Sequence, residues 1–400
     1  MERAELRALV LATGSAVERG WAVFLRDPKW GAAEQTQFEE MIQAVAAPCA
    51  EGGGWLCIPT GGTSGRLRFA RHDEKTLGAA ARGFVEHFGV RQVNVLDVLP
   101  AYHVSGLMAR VRCAETGGKR VAWTWKQLEA GDWPELPSEG DGWFLSLVPT
   151  QLQRLLASAS SVERLKQFRA AAIGGGPLWP ELADAAAAAG VPVSICYGMT
   201  ETAAMIAAQR MEDFAAGDRS CGNVMPHARV EMVDEGTGAV LPQGAPGLVR
   251  ITGEAIFRGY WPEVTEERAL LTEDLGQLDG QGWLTILGRR DAVIISGGKK
   301  VHPGEVEAVL RASGAFDDVA VVGVPDSEWG QRVVACYPAR AEKLDTAKVE
   351  AALEGLVAYK RPKQFLAVSA WPRNAQGKIV RKALRDAAVA ALEVLAAKGR

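Results

Sequence analysis

Three short loops hold most of the chemistry that this sequence offers, and each follows an apolar run. The first, Pro59-Thr60-Gly61-Gly62-Thr63-Ser64-Gly65-Arg66-Leu67-Arg68, combines glycines, hydroxyls and terminal cations. Glycines let successive backbone N–H groups turn inward as an anion nest, hydroxyls add donors and Arg68 adds charge, which suits a triphosphate. The loop lacks the G-x-x-x-x-G-K-[ST] spacing of the ordinary P-loop, and a plain flexible turn has the same composition. The second, Ile173-Gly174-Gly175-Gly176-Pro177-Leu178, leaves room for a flat ring against the backbone, or is simply a tight strand-to-helix turn. The third, Tyr197-Gly198-Met199-Thr200-Glu201-Thr202, gathers an aromatic face, hydroxyls and one carboxylate. Such a group can stack a base, touch a phosphate and hold Mg²⁺; a buried Tyr with a capping Thr is the plainer account.

Elements must position these loops. From about Leu56 to Ala208, strand candidates (WLCIPT, VNVLDVLP, WFLSLVP, RAAAIGG, VSICYG) alternate with helical segments. Among the latter are HDEKTLGAAARGFVEHFG, with Leu77, Ala81, Phe84 and Phe88 on one face, the segment after Thr150, and LWPELADAAAAAG. Strand, glycine-rich turn and helix in repetition imply a parallel α/β sheet, whose sites lie beyond the carboxyl ends of the strands. From roughly Arg229 to Leu287 the pattern changes to short β runs (VEMVD, GLVRITG, WLTILG) with turn signals between them. After Arg290-Asp291 come AVIIS, a helix near Pro303, the strands VAVVGVP and VVACYPA, and a helix from about Thr346. The expected fold is therefore α/β. A large body over 1–290 has parallel sheet layers and a small β subdomain at about 220–288, and a smaller, mobile α+β domain follows over 291–400.

A length of 400 residues exceeds one ordinary core and fits two or three folded units. With 45 basic and 48 acidic residues the net charge of −3 argues against a chain built to hold a nucleic-acid backbone. The balance is uneven, since residues 292–400 carry 17 Lys/Arg against 12 Asp/Glu. Between Ala358 and Lys382 lie Lys360, Arg361, Lys363, Arg373, Lys378, Arg381 and Lys382 with no acidic residue; a solvated face is the ordinary account of such a run. The six cysteines form no C-x-x-C pair and read as reduced thiols. MERAELRALVLATGSAVERGW mixes charges of both signs into its apolar stretch, unlike a signal peptide, and no apolar run of about 18 residues occurs. A cytoplasmic protein without a membrane span is expected, and its oligomeric state is open.

Taken in order, the three loops resemble those of the adenylate-forming superfamily of acyl-CoA synthetases, aryl-CoA ligases, peptide-synthetase adenylation domains and luciferases. Thr60–Arg68 is similar to T-S-G-[ST]-T-G-x-P-K, with Gly61 for Ser, Leu67 for Pro and Arg68 for Lys. Tyr197–Glu201 matches Y-G-x-T-E unchanged, and Gly174–Leu178 resembles the adenine-side G-G-x-P-L loop. Thr272-Glu273-Asp274-Leu275-Gly276 resembles T-G-D-L-G, whose Asp holds the ribose. Gly288-Arg289-Arg290-Asp291 resembles G-R-x-D, implying ribose contact for Arg289 and a hinge at Asp291. Ser296 to Glu307, with Gly297, Gly298 and Lys299, resembles the loop bordering the pantetheine tunnel of CoA ligases. Pro372-Arg373-Asn374-Ala375-Gln376-Gly377-Lys378-Ile379 resembles the segment carrying the catalytic lysine, and Pro100 to Gly106 resembles the P-x-x-H-x-x-G element beside the acyl pocket, where His103 gates or orients the acid. The resemblance covers about residues 56–385. Only 58 residues precede Pro59, fewer than in most members, so a thinned outer subdomain is expected.

The resemblance implies a two-step reaction. A small-molecule carboxylic acid attacks the α-phosphorus of ATP, pyrophosphate leaves, and a thiol then takes the acyl group from the adenylate. Lys378 is expected to supply charge at the α-phosphate, Thr60 to Gly65 to hold pyrophosphate, and Thr200 and Glu201 to act beside them, with Glu201 on Mg²⁺. ATP, Mg²⁺ and coenzyme A are the implied cofactors. IPTGGTSGRLRFARH and YHVSGL look most like the o-succinylbenzoate:CoA ligases of menaquinone and phylloquinone synthesis. For the second carboxylate of such an acid, Arg71, His72, His103 and Ser105 are the nearest polar candidates. Another aryl- or acyl-CoA ligase, a stand-alone adenylating enzyme and a non-catalytic nucleotide-binding protein are the alternatives.

Overall fold

A computed structural model of the chain describes residues 1–43, 53–60, 67–137, 141–339, 344–373 and 379–398. These fall into two compact units. The first is drawn from 1–60, 67–272 and Gly276–Ile286, the second from Glu273–Leu275 and from Leu287 onward.

The centre of the first unit is a seven-stranded sheet in the order Asn223–Val224, Ala204–Ala208, Val193–Met199, Ala170–Ile173, Trp143–Leu147, Asn94–Asp97, Arg120–Ala122. Its pairings are parallel from Val193–Met199 across to Arg120–Ala122 and antiparallel at the other side. Ala170–Ile173 is buried at every position, as a strand covered on both faces must be. The helix Glu74–Phe88 packs its apolar face, including Leu77, Ala81, Phe84 and Phe88, into the interior. Asp73 caps it by accepting from Thr76 N, and Gly89, at φ +59°, ends it in the left-handed region that glycine enters without strain.

One expectation needs correction. Leu56–Thr60 does not join the parallel sheet. It lies in a separate four-stranded sheet, antiparallel to Arg68–His72 and parallel to Ala22–Leu25. Arg68–His72 was hidden because three of its five residues are basic, yet four of the five are buried. The third loop forms a short 3₁₀ turn, Thr200–Thr202, after which the chain runs back antiparallel along its own strand. Finally, Thr272 to Gly276 lies within a long strand, Ala269–Leu278, of a four-stranded sheet ordered Ala228–Val233, Gly247–Gly253, Ala269–Leu278, Leu284–Arg289.

In the second unit a sheet of Lys299–Val301, Ile294–Ser296, Gly330–Pro338 and Ala320–Asp326 gains Gln364–Val368 as a parallel neighbour of Gly330–Pro338. Both of its faces are covered. Val321, Val333 and Ala335 face one cluster with Val306, Leu310 and Val349, while Ala320, Val322, Val334 and Cys336 face another with Leu384 and Ala388. The period-two alternation thus feeds two cores, with the helices Pro303–Ala312 and Thr346–Leu353 on one side and Arg381–Lys398 on the other. Among the described residues no helix is long and apolar enough to cross a membrane.

Candidate active site

The ends of the first loop are in place: Thr60 closes one strand, Arg68 opens the next, and the two are partnered in register. Gly61, Gly62, Thr63, Ser64 and Gly65 lie outside the described residues, as does Lys378. Thr60 is buried with its Oγ1 lacking a partner among the described residues, a donor ready for a phosphate oxygen. The Arg68 guanidinium sits 4.3 Å from the centroid of the Tyr260 ring. The Tyr260 hydroxyl donates to Glu201 Oε1 at 2.6 Å. Burial, with the Glu201 carboxylate beside it, pushes the Tyr260 phenol well above its ordinary value, so the proton stays on the tyrosine.

Thr200 and Glu201 sit on the turn between two paired strands, and that turn is tightly specified. A Cβ on Gly198 would lie 1.9 Å from Ala204 O, so no other residue fits there. Ala203 and Ala204 hold φ of 51° and 80°, a left-handed conformation costly for alanine and found where a site fixes the backbone. Thr202 Oγ1 bonds to Ala204 O at 2.7 Å and accepts from Met199 N at 3.0 Å. Beneath the turn His72 Nε2 donates to Thr200 O at 2.8 Å, and its Nδ1 lies 3.0 Å from Thr76 Oγ1. Burial lowers the His72 pKa to about 4, so the ring is neutral at pH 7. His72 therefore supports Thr200 and has no free face for a substrate carboxylate. Arg71 is likewise committed: its side chain donates to Gly54 O, Pro262 O and Glu263 O.

Gly174 to Pro177 follow Ile173, whose register partner on the neighbouring strand is Ile195, two residues before Tyr197. The glycine loop and the Tyr197 segment are thus brought to adjacent strand ends. Gly175 needs its glycine, at φ +78°. A Cβ on Gly176 would meet nothing within 4 Å, which leaves the open space a flat base requires.

His103 occupies the N-cap of the helix Val104–Glu115 and stands edge-on to Tyr102, ring centroids 4.6 Å apart. A Cβ on Gly106 would lie 2.2 Å from Pro100 O, so the P-x-x-H-x-x-G spacing is that of a tight helix entry. About two and a half turns past His103 on the same helix sits a buried arginine that the sequence reading missed. Arg112 is 3% exposed, its Nε and Nη2 have no partner among the described residues, and its guanidinium lies 4.3 Å from the Phe84 ring centroid. It borders a void of about 10 Å³, room for about one water, with Phe84, Val93, Val95, Leu96, Phe144 and Ala172 in the interior of the first unit. Burial lowers the Arg112 pKa only to about 10, so it remains a cation. Asp97 also borders the cavity, but its Oδ2 is taken by Arg110 and Arg120 at 2.8 Å each. An arginine among aliphatic residues gives no sequence signal; only its burial without a partner sets it apart.

In the second unit Arg289 grips Asp291 through two bonds of 2.8 Å while its Nη1 lies 3.6 Å from Asp274. The Asp291–Arg289 hydrogen bonds hold the Asp291 carboxyl below its ordinary value and raise that of Arg289. Gly297 and Gly298, at φ 57° and 73°, form the two-residue turn of a hairpin whose return strand opens with exposed Lys299. The ends of the segment carrying Lys378 are tied together by a bridge between Arg373 and Ile379, with Arg373 and Trp371 on Asp318 and Arg381 on Glu307.

Among the described residues no cluster of three His, Cys, Asp or Glu could enclose a metal. Glu201, with Oε1 on Tyr260 and no described partner on Oε2, fits a Mg²⁺ held by one carboxylate together with phosphate oxygens and water.

The sequence matches the AMP-binding enzyme family over residues 8–261 and the AMP-binding enzyme C-terminal domain over 305–378. It is 32% identical over 329 residues to a 2-succinylbenzoate–CoA ligase of Enterococcus faecalis, covering 80% of this chain and 67% of that protein. To a 2-succinylbenzoate–CoA ligase of Geobacillus kaustophilus it is 34% identical over 302 residues, covering 72% of this chain and 60% of the relative. The chain thus spans 60–67% of the length of these two proteins. Its fold is shared with o-succinylbenzoate CoA synthetase of Bacillus subtilis in complex with an acyl-adenylate intermediate, at a TM-score of 0.74 and 24% identity, covering 95% of this chain and 80% of that one.

Proposed function

Because the chain belongs to the AMP-binding enzyme family, we propose that it is an ATP-dependent, AMP-forming acid–CoA ligase whose acid is o-succinylbenzoate. In the first step a carboxylate oxygen bonds to the α-phosphorus of ATP as the bond to pyrophosphate breaks. In the second the thiol sulfur of CoA bonds to the acyl carbon, AMP leaves, and the thiol proton passes to solvent. The first transition state gathers negative charge on phosphate oxygens, so the work of the protein is positioning and electrostatic stabilisation. Thr60 Oγ1 and Arg68 face that task in the first unit, with Lys378 as the cation supplied by the C-terminal segment. Asp274 and Arg289 are the ribose contacts, Gly174 to Pro177 and Tyr197 the adenine wall, and Gly297 to Lys299 the border of the CoA path. Glu201 would hold Mg²⁺, which when bound would neutralise charge on the phosphates. A cytoplasmic location fits the use of ATP and CoA.

The observation that carries the substrate is the likeness to two proteins named 2-succinylbenzoate–CoA ligase, at 32% and 34% identity. The void beside Arg112, about 10 Å³, has room for about one water and not for the acid. The test is pyrophosphate release and mass detection of the thioester with o-succinylbenzoate and with benzoate, which lacks the second acid. o-Succinylbenzoate should give the higher kcat/KM by about tenfold or more, the scale of one hydrogen bond to a charged group made to its second carboxylate. Comparable kcat/KM for both acids in the unaltered protein would remove the substrate assignment and leave the adenylation chemistry standing.

A further inference from the structure

We infer that Tyr260 is a positioning residue for adenylation: its hydroxyl fixes the plane of the Glu201 carboxylate so that Oε2 is presented to Mg²⁺, and its ring keeps Arg68 apart from that carboxylate. The inference rests on the reading of Glu201 as the Mg²⁺ ligand.

A carboxylate at a turn can rotate about its last bond, because that torsion is broad and roughly two-fold. The 2.6 Å bond from Tyr260 to Oε1 removes that freedom. Tyr260 is itself held. It bridges to Ala70 on the strand that returns from the phosphate loop, and its ring packs edge-on against Phe257 at 4.8 Å. The same short segment also holds the backbone of Glu201, since Phe257 N donates to Glu201 O at 2.9 Å. Glu201 is thus gripped at its carbonyl and at one carboxylate oxygen by residues 257–260.

Arg68 sets the second half of the inference. Its guanidinium lies on the ring of Tyr260, whose hydroxyl meets Glu201, and among the described residues Arg68 makes no ion pair. A direct Arg68–Glu201 pair would neutralise both groups, taking a cation from the phosphates and a ligand from the metal. An aromatic face offers a cation a weaker attraction, about 0.5–1 kcal/mol at exposed sites, which a phosphate oxygen can displace. The tyrosine therefore spaces two opposite charges that both serve the nucleotide.

Tyr260→Phe keeps the ring, the Arg68 contact and the packing against Phe257, and removes only the hydroxyl. The measurement is calorimetric binding of ATP, in excess EDTA and in saturating Mg²⁺. We expect affinity in EDTA to stay within about twofold and affinity in Mg²⁺ to fall about tenfold or more, the scale of one hydrogen bond to a charged group. The Mg²⁺ concentration for half-maximal pyrophosphate release should rise in step, with thioester formation from supplied acyl-adenylate preserved. Equal weakening with and without Mg²⁺, or no change in either, overturns the inference. A double-mutant cycle with Glu201→Gln separates the two readings. If Glu201→Gln leaves the Mg²⁺ dependence intact, the metal assignment itself fails. If it abolishes that dependence while Tyr260→Phe adds its effect independently, Tyr260 does not act through Glu201.

Discussion

The turn carrying Thr200 and Glu201 and the group formed by Asp274, Arg289 and Asp291 are both assigned to the nucleotide, yet they are built on opposite principles. The turn is held by neutral donors, buried His72 under Thr200 and half-buried Tyr260 on Glu201, and by two alanines kept in the left-handed region. The second group is held by paired charges, with side chains of Arg289 and Asp291 39% and 44% exposed. Neutral hydrogen bonds in a dry interior fix one geometry, because leaving any of them unmade costs desolvation. Exposed ion pairs are worth at most about 1 kcal/mol and exchange partners readily. The first arrangement suits charges that must be preorganised for a transition state, and the second suits contacts that are made and released as the reaction changes step.

The largest effect should come from breaking the fixed region. Glu201→Gln keeps the shape of the side chain and can still meet the Tyr260 hydroxyl through its carbonyl, but loses the negative charge. Pyrophosphate release should fall on the order of 10²–10³, as for loss of a single preorganised electrostatic group. Thioester formation from supplied acyl-adenylate should fall far less. A loss of the same size in both half-reactions would mean that the turn serves the fold rather than adenylation.

A smaller effect should appear in acid stability, through His72. Its folded-state pKa, about 4, is below the unfolded value of 6.5 because burial disfavours the charged ring. Above about pH 6.5 the ring is neutral in both states and carries no penalty. As pH falls from there toward 4 the unfolded chain takes up a proton that the folded one does not, so stability falls, by about 3 kcal/mol in the limit. His87 and His227, also held near 4 by burial, add to the same window. Denaturant unfolding of the unaltered protein should therefore weaken steeply between pH 6.5 and 4. His72→Gln, which still donates to Thr200 O but does not titrate, should flatten the slope by roughly one proton. An unchanged slope would show that His72 is solvated, and with it that the turn is less rigid than the contrast requires.

How far the sequence revealed these two regions follows from the same physics. The resemblance singled out Tyr197–Glu201, Gly174–Pro177, Asp274 and Arg289 as expected nucleotide contacts, and the structure sets the first two segments at adjacent strand ends and Arg289 within 3.6 Å of Asp274. Apolar periodicity marked the helix Glu74–Phe88 and the parallel strands, because one face of each element must be buried. What supports the motifs was not legible. Arg68–His72 is a buried strand that looks like a basic loop, since its charges are satisfied by distant carbonyls and by an aromatic ring. His72 looked like a substrate ligand and is a prop, because its partner, Thr200, lies 128 residues away in sequence. Tyr260 lies in no motif taken for chemistry, and its role rests on a hydroxyl direction that only coordinates reveal; Arg112 is set apart only by its burial without a partner among the described residues.

The smallest effect, and the one that sharpens the contrast most, concerns Asp291 as the proposed hinge. Asp291→Asn removes the charge that holds Arg289 through its two 2.8 Å bonds and leaves Asp274, at 3.6 Å, as an acidic neighbour. Both side chains of the lost pair are partly exposed, so the stability change should stay within about 1 kcal/mol. The Asp291 carboxyl is held below its ordinary value by Arg289, so this contribution is present above the unfolded pKa near 4 and fades as pH falls through the folded one. The chemical readout is the ratio of the two half-reactions. If Arg289 exchanges between partners as the enzyme changes step, that ratio should move about three- to tenfold in the variant. In the unaltered protein it should also drift with ionic strength, because exposed pairs are screened over a Debye length of about 8–10 Å in 0.1–0.15 M salt. In Asp291→Asn the salt dependence should shrink, since one of the two exchanging partners is gone. Pyrophosphate release, by contrast, should respond to Glu201→Gln by the same factor at low and high salt, because that carboxylate is buried. A ratio indifferent to both salt and Asp291 would make the Arg289–Asp291 pair a static contact and remove the distinction between a fixed turn and an exchangeable charge pair.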